Sequence, residues 1–460
     1  MAISQHRSRS TVLGPLGLTQ AGVARGVLAV LFGSPASRPF RVRLWDGSVE
    51  GPVGATAFTL VIQRPGALRR MLLPPTELNL GEAYLRDDFD VEGDLETATG
   101  LMDALTRTWS PAALAGLLPR LLLLPTDDLP GRPGARKTDI QAGRHSRDTD
   151  ALAVRFHYDV GNDFYKLWLD ERLVYSCAYF RTGEESLDEA QEAKLDLICR
   201  KLRLQPGERL LDIGCGWGGL LIHAAERYGV SGVGVTLSEA QAELARERIL
   251  ARGLADRVRV EVRDYRDLPG GSNFDKIVSV GMFEHVGREH LPEYFAQAYR
   301  LLRPGGLFLN HGIIHPRPDP ARHPVHQAIL RFTWRYTSFL ERYVFPGGEL
   351  VTPGTVLSDA EAAGFETRDL ESLREHYVLT LRHWVRRLEA NHEEVAAVVG
   401  EGTYRIWRMY MAAVSRSFNI GLDGLVQVLF SKPHADGRTE LPRTREDLYL
   451  EPGQPAIAAD

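Results

Sequence analysis

The 460-residue chain is poor in cysteine and has no surplus of basic residues. Cys177, Cys199 and Cys215 include no Cys-x-x-Cys pair, so they predict no disulfide framework and indicate a reducing compartment. The formal net charge of -5 excludes a global positive field that would attract nucleic acid. No apolar run is long enough to cross a bilayer. The residues that are present, 44% hydrophobic and 25% charged, are typical of a globular protein with two or three domains.

Shifts in composition divide the chain into two predicted domains joined by a linker. Residues 125–149, rich in Pro, Gly, Asp, Lys and Arg, form the linker. A first domain, 21–124, lies before it, and a second domain, 150–432, follows. Both ends, 1–20 and 433–460, lack apolar periodicity, and we predict that they are disordered.

The first domain offers few chemical clues. Val27–Phe32 is interpreted as a first helix rather than as a signal peptide, and Phe40–Trp45 and Phe58–Ile62 alternate like strands. The acids of Leu78–Leu95 are too scattered for a metal site, so we predict a solvated face. Leu114–Leu124 is strongly apolar and is either core, which we favour, or a membrane-surface contact.

A glycine-rich stretch, LLDIGCGWGG at 210–219, is the most informative feature of the second domain. Arg209–Ile213 is predicted as a buried strand, and Leu220–Tyr228 has helical spacing. The glycines between them let a ligand approach the backbone closely. The spacing is Gly-x-Gly-x-Gly, with no Lys-Ser or Lys-Thr after it, which argues against a phosphate cradle. The stretch therefore favours S-adenosylmethionine, which carries no phosphate.

Strands and helices alternate after the glycine turn, which predicts an α/β fold whose parallel sheet binds ligands at the carboxyl ends of its strands. The further predicted strands are Gly232–Leu237, Arg257–Val262, Phe274–Val280, Leu307–Ile314, Phe365–Leu370 and Gly424–Phe430. A stretch at 315–349, rich in His, Pro and aromatic residues, interrupts the alternation and is predicted to be a lid or substrate wall.

The ends of two strands suggest how adenosine is held. The strand ending at Thr236 and Leu237 has no ribose-binding acid, and Gln241 lies one turn into the next helix. Asp264 and Tyr265 follow the next strand, where an acid can accept from the adenine amino group and a ring can stack on adenine. Ordinary turn chemistry is the alternative for each residue alone.

A second group of residues follows strands four and five. Glu284 and His285 leave strand four over the predicted ligand, although Glu284 could instead cap a helix while His285 packs. The aromatic runs 156–165 and 175–180 are either core or a lid over the pocket. Cys177, within the second run, has no activating arrangement that would make it a nucleophile.

Several motifs together resemble the cyclopropane-fatty-acyl-phospholipid synthases and the related mycolic acid cyclopropane synthases. They are HYDVGNDFY at 157–165, YSCAYF at 175–180, LDIGCGWGG at 211–219, GVTLSEAQ at 234–241, DYRDL at 264–268, SVGMFEHVG at 279–287 and FPGG at 345–348. The resemblance covers about 150–430. In addition, residues 40–95, ending in LGEAYLRDDFDVEGDL, resemble the N-terminal lipid-binding domain of the phospholipid-acting branch.

The resemblance implies a Rossmann-like class I methyltransferase domain with a mostly parallel seven-stranded sheet, plus a smaller α+β N-terminal lipid-binding domain. It implies methyl transfer from S-adenosylmethionine to a cis double bond, a carbocation, and loss of a proton from the added methyl to a bound bicarbonate as the cyclopropane closes. Residues matching the family's bicarbonate site are Cys177, Glu284, His311, Ile313 and Tyr377. Those matching its cofactor contacts are Tyr175, Ser176, Gly214, Gly216, Thr236, Leu237, Gln241, Asp264 and Tyr265. No metal site is predicted.

Two departures from the family concern the acyl pocket. The segment Asn310-His-Gly-Ile-Ile stands where His-Thr-Ile is usual, and the excursion at 315–344 is longer than in the shortest phospholipid-acting members. Some relatives form a 10-methylene branch instead of a ring, and the sequence leaves this alternative open.

The expected partner is unsaturated phospholipid at the membrane surface, with the protein cytoplasmic and peripherally bound to the inner face of the membrane. Ala67–Leu73 and Leu114–Leu124 are the candidate docking segments. A homodimer is left open. A nucleic-acid methyltransferase is disfavoured by the acidic charge and the lack of an Asn-Pro-Pro-Tyr motif, and a silent lipid carrier by the glycine loop, Glu284 and Tyr377.

Overall fold

The computed structural model describes residues 19–74, 76–101, 111–126, 135, 137–138, 145–158, 160–271, 273–316 and 339–448, with side chains from 116 onward in the third range. These residues divide into two compact units. The first holds the described residues before 136 together with Phe339 and Gly400–Arg416, and the second holds the rest. The sequence analysis placed Gly400–Arg416 in the second domain, so this grouping differs from the predicted boundary.

The described part of the first unit has an α+β fold. Its sheet has the strand order β2-β1-β3-β4, with β1 parallel to β3 and the other pairs antiparallel. The strands are β1 Arg41–Arg43, β2 Val49–Glu50, β3 Phe58–Ile62 and β4 Phe89–Gly93, and the helices are Gln20–Phe32, Ala67–Leu72, Glu77–Leu85, Leu95–Thr99 and Pro111–Leu122. The predicted first helix and the strand at Phe58–Ile62 are therefore present.

The acidic run of the first unit is only in part the solvated face that the sequence suggested, since Glu92 and Asp94 are exposed but Asp88 is not. Asp88 is fully buried and forms ion pairs with Arg64 at 3.4 Å and Arg70 at 3.2 Å. In the same unit, the Arg405 guanidinium lies 3.8 Å from the centre of the Tyr84 ring. A buried carboxylate needs such partners because its desolvation is costly.

The two candidate docking segments differ in exposure. In the helix Ala67–Leu72 the apolar side chains are buried, so this segment offers no apolar surface. The helix Pro111–Leu122 buries Leu117 and Leu121 but leaves Leu118 and Leu122 about half exposed, at 48% and 54%. The favoured core interpretation is therefore right for one face of the second segment only.

The second unit is built on a sheet that the described residues show to have seven strands, in the order β10-β11-β9-β8-β5-β6-β7. Five strands are parallel, and β10 and β11 are antiparallel to their neighbours. The strands are β5 Arg209–Ile213, β6 Ser231–Thr236, β7 Val258–Val262, β8 Phe274–Val280, β9 Leu302–Ile314, β10 Glu366–Ser372 and β11 Gly424–Ser431. This arrangement confirms the predicted class I methyltransferase fold.

Helices cover both faces of this sheet. Those that pack on one face are Leu187–Lys201, Gly219–Tyr228 and Glu239–Ala251, and those on the other are Leu291–Leu301 and Pro353–Ala362. The other described helices are Arg147–Tyr158, Asn162–Lys166, Phe339–Tyr343, Arg374–Ala390 and His392–Asn419; the last is interrupted at Gly400 with a φ of 82° and is divided between the two units. Alternate residues of β5 enter opposite cores: Leu210 packs with the cluster around Leu221, and Leu211 with the cluster around Phe295. Burial on both faces fixes where the carboxyl end of β5, and the turn after it, must lie.

Two predictions about local structure are wrong. The strand predicted at Leu307–Ile314 begins five residues earlier: β9 starts at Leu302, directly after the helix Leu291–Leu301, and runs through Pro304-Gly305-Gly306. Residues 433–448 were predicted to be disordered, yet they pack on the second unit. Arg203 pairs with Asp447 at 2.7 Å, Arg200 donates to the Leu448 carbonyl at 2.7 Å, and Arg445 pairs with Asp369.

Other predictions lie outside the described residues. These are the ends 1–18 and 449–460, most of the linker, and residues 317–338 of the predicted lid. Among the helices that the structure describes, none is long and apolar enough to cross a membrane.

Candidate active site

A cavity opens at the carboxyl ends of the parallel strands of the second unit, as a doubly wound sheet predicts. It is lined by the glycine turn after β5, the ends of β6, β7 and β8, and the helix Leu187–Lys201. All nine residues that the resemblance assigned to the cofactor are in its wall: Tyr175, Ser176, Gly214, Gly216, Thr236, Leu237, Gln241, Asp264 and Tyr265. The structure thus brings together residues that are up to 90 positions apart.

The glycine turn owes its shape to backbone conformations that other residues rarely adopt. Gly214 and Gly216 have φ values of 84° and 52°. A Cβ on Gly214 would lie 2.9 Å from the Met282 side chain, whereas a Cβ on Gly216 would meet no atom within 4 Å. Gly216 therefore borders open space in the cavity wall, where a ligand can touch the backbone.

Two buried ionisable side chains line the cavity, and the lysine was not among the predicted site residues. Lys194 and Asp212 both line it and are 1% and 3% exposed. Burial lowers the pKa of Lys194 to about 8 and raises that of Asp212 to about 7, and each charge partly stabilises the other. The Lys194 ammonium also donates to Ser176 Oγ at 2.7 Å. The only sequence signal was a lysine on the apolar face of a helix.

The polar groups that the sequence analysis assigned to adenosine are held by short hydrogen bonds. Thr236 Oγ1 donates to Gln241 Oε1 at 2.8 Å. Arg266 Nη2 contacts Asp264 at 2.6 Å and Asp150 at 3.2 Å. Burial raises the pKa of Asp264 but the hydrogen bonds from Arg266 lower it, and the net direction is downward. Asp264 therefore remains an ionised acceptor in the cavity wall.

The aromatic run 156–165 is divided between the core and the cavity. Phe164 and Tyr165 are fully buried, while Tyr158 lines the cavity. Trp217, in the glycine turn, donates to Asn162 Oδ1 at 2.8 Å. This bond ties the run to the turn, so the lid and core interpretations each hold for part of it.

The residues assigned to the bicarbonate site are not among those that line the cofactor cavity. Glu284 lies in a short 3-10 helix after β8 and is 7% exposed. Its Oε1 accepts from the Ile313 N–H at 2.6 Å, and its Oε2 is buried without a hydrogen-bond partner among the described residues. Burial raises the pKa of Glu284 to about 7. The Glu284 side chain is therefore hydrogen-bonded to β9 and does not cap a helix.

His311 is the second group near Glu284 that keeps an unpartnered atom. It lies in β9, is 1% exposed, and has Nδ1 3.0 Å from Gln427 Nε2. Its Nε2 is buried without a partner in the described part of the chain. Burial, then the charges of Lys194 and Lys201, lower the pKa of His311 well below the usual value. The ring is therefore neutral.

Cys177 and Tyr377 meet at one carbonyl group. The Leu373 carbonyl accepts from the Tyr377 N–H at 3.1 Å, and Cys177 Sγ lies 3.7 Å from it. Burial raises the pKa of the Cys177 thiol, which disfavours the thiolate that a nucleophile needs. The Tyr377 ring packs on Phe418 and Trp384, with centroids 4.8 and 5.9 Å away.

Comparisons with known proteins agree with this fold. The family model "Mycolic acid cyclopropane synthetase" matches residues 145–428, and a domain of unknown function matches 27–104. A probable fatty acid methyltransferase of Pseudomonas putida is 42% identical over 411 residues, covering 89% of this chain and 96% of that protein. The cyclopropane-fatty-acyl-phospholipid synthase of Escherichia coli K12 is 35% identical over 384 residues, covering 84% and 90%.

The solved structures include one with a cofactor product. A mycolic acid cyclopropane synthase, CmaA1, complexed with SAH and CTAB, is 36% identical with a TM-score of 0.57, covering 61% of this chain and 98% of that one. Family, fold and cofactor class therefore agree with what the motifs implied.

Proposed function

Since this chain belongs to the mycolic acid cyclopropane synthetase family, we propose that it adds a methylene group from S-adenosylmethionine to the cis double bond of unsaturated phospholipid acyl chains. It is an S-adenosylmethionine-dependent methyltransferase that acts on acyl chains. The phospholipid substrate, the cyclopropane product and bicarbonate as the base belong to the proposal.

The cavity residues fit S-adenosylmethionine, which supplies an electrophilic methyl group when bound. The open space at Gly216 is where a ligand can lie against the backbone. Lys194 offers an ammonium and Asp212 a carboxyl to the amino-acid group of the cofactor, and Asp264 offers an ionised acceptor. An alkene is a weak nucleophile, so this fixed placement contributes mainly by orienting the reactants.

One observation carries the choice of an anionic base. Glu284 Oε2 and His311 Nε2 are both buried without a partner among the described residues, although buried polar atoms are nearly always satisfied. A small anion with donor and acceptor oxygens, such as bicarbonate, suits both. The Ile313 N–H donates to Glu284 Oε1, so the role of Ile313 in this proposal is to position that carboxyl.

Aromatic rings are suited to stabilise the positive charge on the acyl chain. Tyr377, Trp384 and Phe418 pack together beside Cys177 in the second unit. Ring faces attract cations, and the exclusion of water protects a carbocation from hydrolysis. These residues therefore hold the charge until the proton is removed.

A methylene-branched product is the second candidate. The Pseudomonas putida relative is described as a probable fatty acid methyltransferase, and Gly312 replaces the usual threonine. A Cβ on Gly312 would lie 2.0 Å from the Phe283 ring and 3.0 Å from Glu284 Oε1. This difference adjoins the proposed base and so bears on which proton is removed.

The proposal also includes docking on the membrane. Leu118, Leu122 and Leu123 are 48%, 54% and 41% exposed, and Arg69 donates to the Leu124 carbonyl at 2.8 Å beside them. Exposed leucines next to a basic residue suit a surface of acyl chains and anionic headgroups. Peripheral binding to the inner face of the membrane is thus expected, and a homodimer stays a prediction.

Expression in a host with monounsaturated phospholipids tests the reaction. Mass spectrometry should show acyl chains heavier by one methylene group, and proton NMR should show cyclopropyl rather than exomethylene signals. With purified protein, removal of bicarbonate should slow product formation and its return should restore it. Unchanged lipids exclude the function, exomethylene signals select the branched product, and full activity without bicarbonate excludes that base.

A further inference from the structure

We propose that Lys201 and Gln427 are positioning residues that fix His311 as a neutral imidazole with its proton on Nε2, where it donates to the anion. This inference rests on the proposed function, because it assigns a donor to the anion of that reaction. Neither residue was implied by the family motifs.

The three side chains form a buried row across two strands and a helix of the second unit. Gln427 in β11 lies directly opposite His311 in β9. The two side chains are 0% and 1% exposed, and Gln427 Nε2 is 3.0 Å from His311 Nδ1. Lys201, the last residue of the helix Leu187–Lys201, has a side chain that is only 3% exposed.

Lys201 determines which way the Gln427 amide faces. Its ammonium donates to Gln427 Oε1 at 2.8 Å and to Glu371, and forms an ion pair with Asp369 at 3.6 Å. An ammonium has three donors and no acceptor. The amide oxygen of Gln427 must therefore face Lys201, which leaves the amide nitrogen facing His311.

The orientation of Gln427 determines the tautomer of His311. An amide nitrogen only donates, so His311 Nδ1 must accept and carries no proton. The proton of the neutral ring is then on Nε2. A second proton on Nδ1 would set two donors against each other. Burial and the charges of Lys194 and Lys201 independently lower the pKa of His311.

The Nε2–H of His311 needs an acceptor that the described residues do not supply. An oxygen of a bound anion meets this need. A neutral donor also suits a base, because an imidazolium beside bicarbonate would stabilise its charge more strongly and weaken its basicity. Lys201 and Gln427 thereby keep the His311 Nε2–H as a donor and prevent the imidazole from becoming positively charged.

Gln427→Glu is the main test because it keeps the shape of the side chain while reversing the direction of its hydrogen bond with His311. A carboxylate oxygen accepts from His311 and draws the proton to Nδ1, and it keeps its contact with Lys201. We expect turnover to fall by about 100-fold or more, a size typical of losing a general acid or base interaction. The apparent KM for bicarbonate should rise, while S-adenosylmethionine affinity should stay near the wild-type value.

Nitrogen-15 NMR of histidine-labelled protein reads the tautomer without turnover. The His311 signal is identified by its absence in His311→Gln. In the wild type it should show a protonated Nε2 and a bare Nδ1, and it should shift when bicarbonate is added. In Gln427→Glu the proton should be on Nδ1 or on both nitrogens.

Lys201→Met tests the first link, with Lys276→Met as its control. Without Lys201 the Gln427 amide can turn over, so His311 should show both tautomers and turnover should fall by less than in Gln427→Glu. Lys276 is also a buried lysine of this unit, 6% exposed and 3.6 Å from Glu208. It contacts neither Gln427 nor His311, so its loss should leave the tautomer unchanged.

The outcomes separate the inference from the proposed function. A wild-type His311 with its proton on Nδ1, no response of its signal to bicarbonate, or a Gln427→Glu protein with the wild-type tautomer overturns the inference, whatever the activity. A wild-type protein that modifies no lipid, yet shows the Nε2–H signal and its response to bicarbonate, refutes the proposed reaction and supports the positioning role.

Discussion

Gly216 is a residue where the absence of a side chain matters to binding. We expect Gly216→Val to lower S-adenosylmethionine affinity by at least about tenfold, or about 1.4 kcal/mol, because the new side chain fills space in the cavity wall. Isothermal titration calorimetry measures this affinity.

Gly253→Val is the matched control for backbone strain. Gly253 has a φ of 66°, meets nothing within 4 Å of a built Cβ, and is not in the cavity wall. Both variants should lose similar stability, whereas Gly253→Val should bind the cofactor normally. Equal affinity in the two variants would remove the glycine turn from the site.

Glu284 should make stability depend on pH. Its pKa is raised by burial from 4.5 to about 7, so the favourable contribution of its neutral form is present below about pH 4.5 and is lost as pH rises through about 7. Glu284→Gln has no such charge, so its free energy of unfolding should rise relative to that of the wild type by up to about 3 kcal/mol as the pH increases from 5 to 8.

Denaturant unfolding of both proteins across that pH range measures the difference, and turnover of Glu284→Gln should fall by roughly 10²–10⁴-fold. A stability difference that does not change with pH would show that Glu284 is not buried as a neutral acid. His311→Gln serves as the comparison with the opposite trend: because burial lowers the pKa of His311, the wild type should lose stability relative to this variant as the pH falls below about 6.5.

The site residues show what a sequence can and cannot predict at this scale. Tyr175, Gly216 and Asp264 belong to short motifs next to strand ends, so both their grouping and their place in the sheet follow from the pattern. Lys194 and Gln427 act through burial and through partners more than 15 residues away, and nothing in their neighbours along the chain indicates this.

At the scale of elements, the helix Leu187–Lys201 carries Lys194 to the cofactor cavity and Lys201 to Gln427. Its N-terminus has a capping box, in which Ser186 and Glu189 satisfy each other's backbone N–H groups. Ser186→Ala should therefore cost about 1 kcal/mol of stability.

Urea unfolding measures that cost, and calorimetry should find cofactor affinity unchanged because the cap lies at the far end from Lys201. Thr352→Ala, which removes the cap of the helix Pro353–Ala362, is a fitting comparison and should cost a similar amount. A loss of cofactor binding in Ser186→Ala without a loss of stability would contradict the structural role.

Strands and helices were predictable where the apolar residues followed a single periodicity. The strands at Arg209–Ile213, Phe58–Ile62 and Phe274–Val280 have the predicted bounds because each is a short apolar run between turn residues. The start of β9 was not predictable. There Gly306 allows close approach, since its Cβ would lie 2.7 Å from Leu302, but in the sequence it looks like a helix stop.

For the whole molecule, the sequence could not show that Gly400–Arg416 groups with the N-terminal residues. Arg405 donates to Asp90 at 2.9 Å, across 315 positions, and such a pairing has no local signal. A protein truncated near Asp148 would lose the partners of Arg405, so point variants are the cleaner test of docking.

We expect Leu118→Ser with Leu122→Ser to lower binding to anionic phospholipid vesicles by roughly 100-fold, since each leucine loses about 1.5 kcal/mol of apolar burial. A flotation assay measures the bound fraction, and S-adenosylmethionine affinity should not change. Leu250→Ser is the control, because Leu250 is 69% exposed on the second unit. Equal flotation of all variants would contradict docking through this helix.

The packed segment near the C-terminus has a practical consequence for handling the protein. Arg445 pairs with Asp369, and Asp369 also faces Lys201, the residue that orients Gln427. A protease that nicks the chain between 433 and 444 during purification would spare every residue of the cofactor cavity. Such a preparation should still bind S-adenosylmethionine yet have low specific activity, so intact mass should be checked before any variant is compared with the wild type.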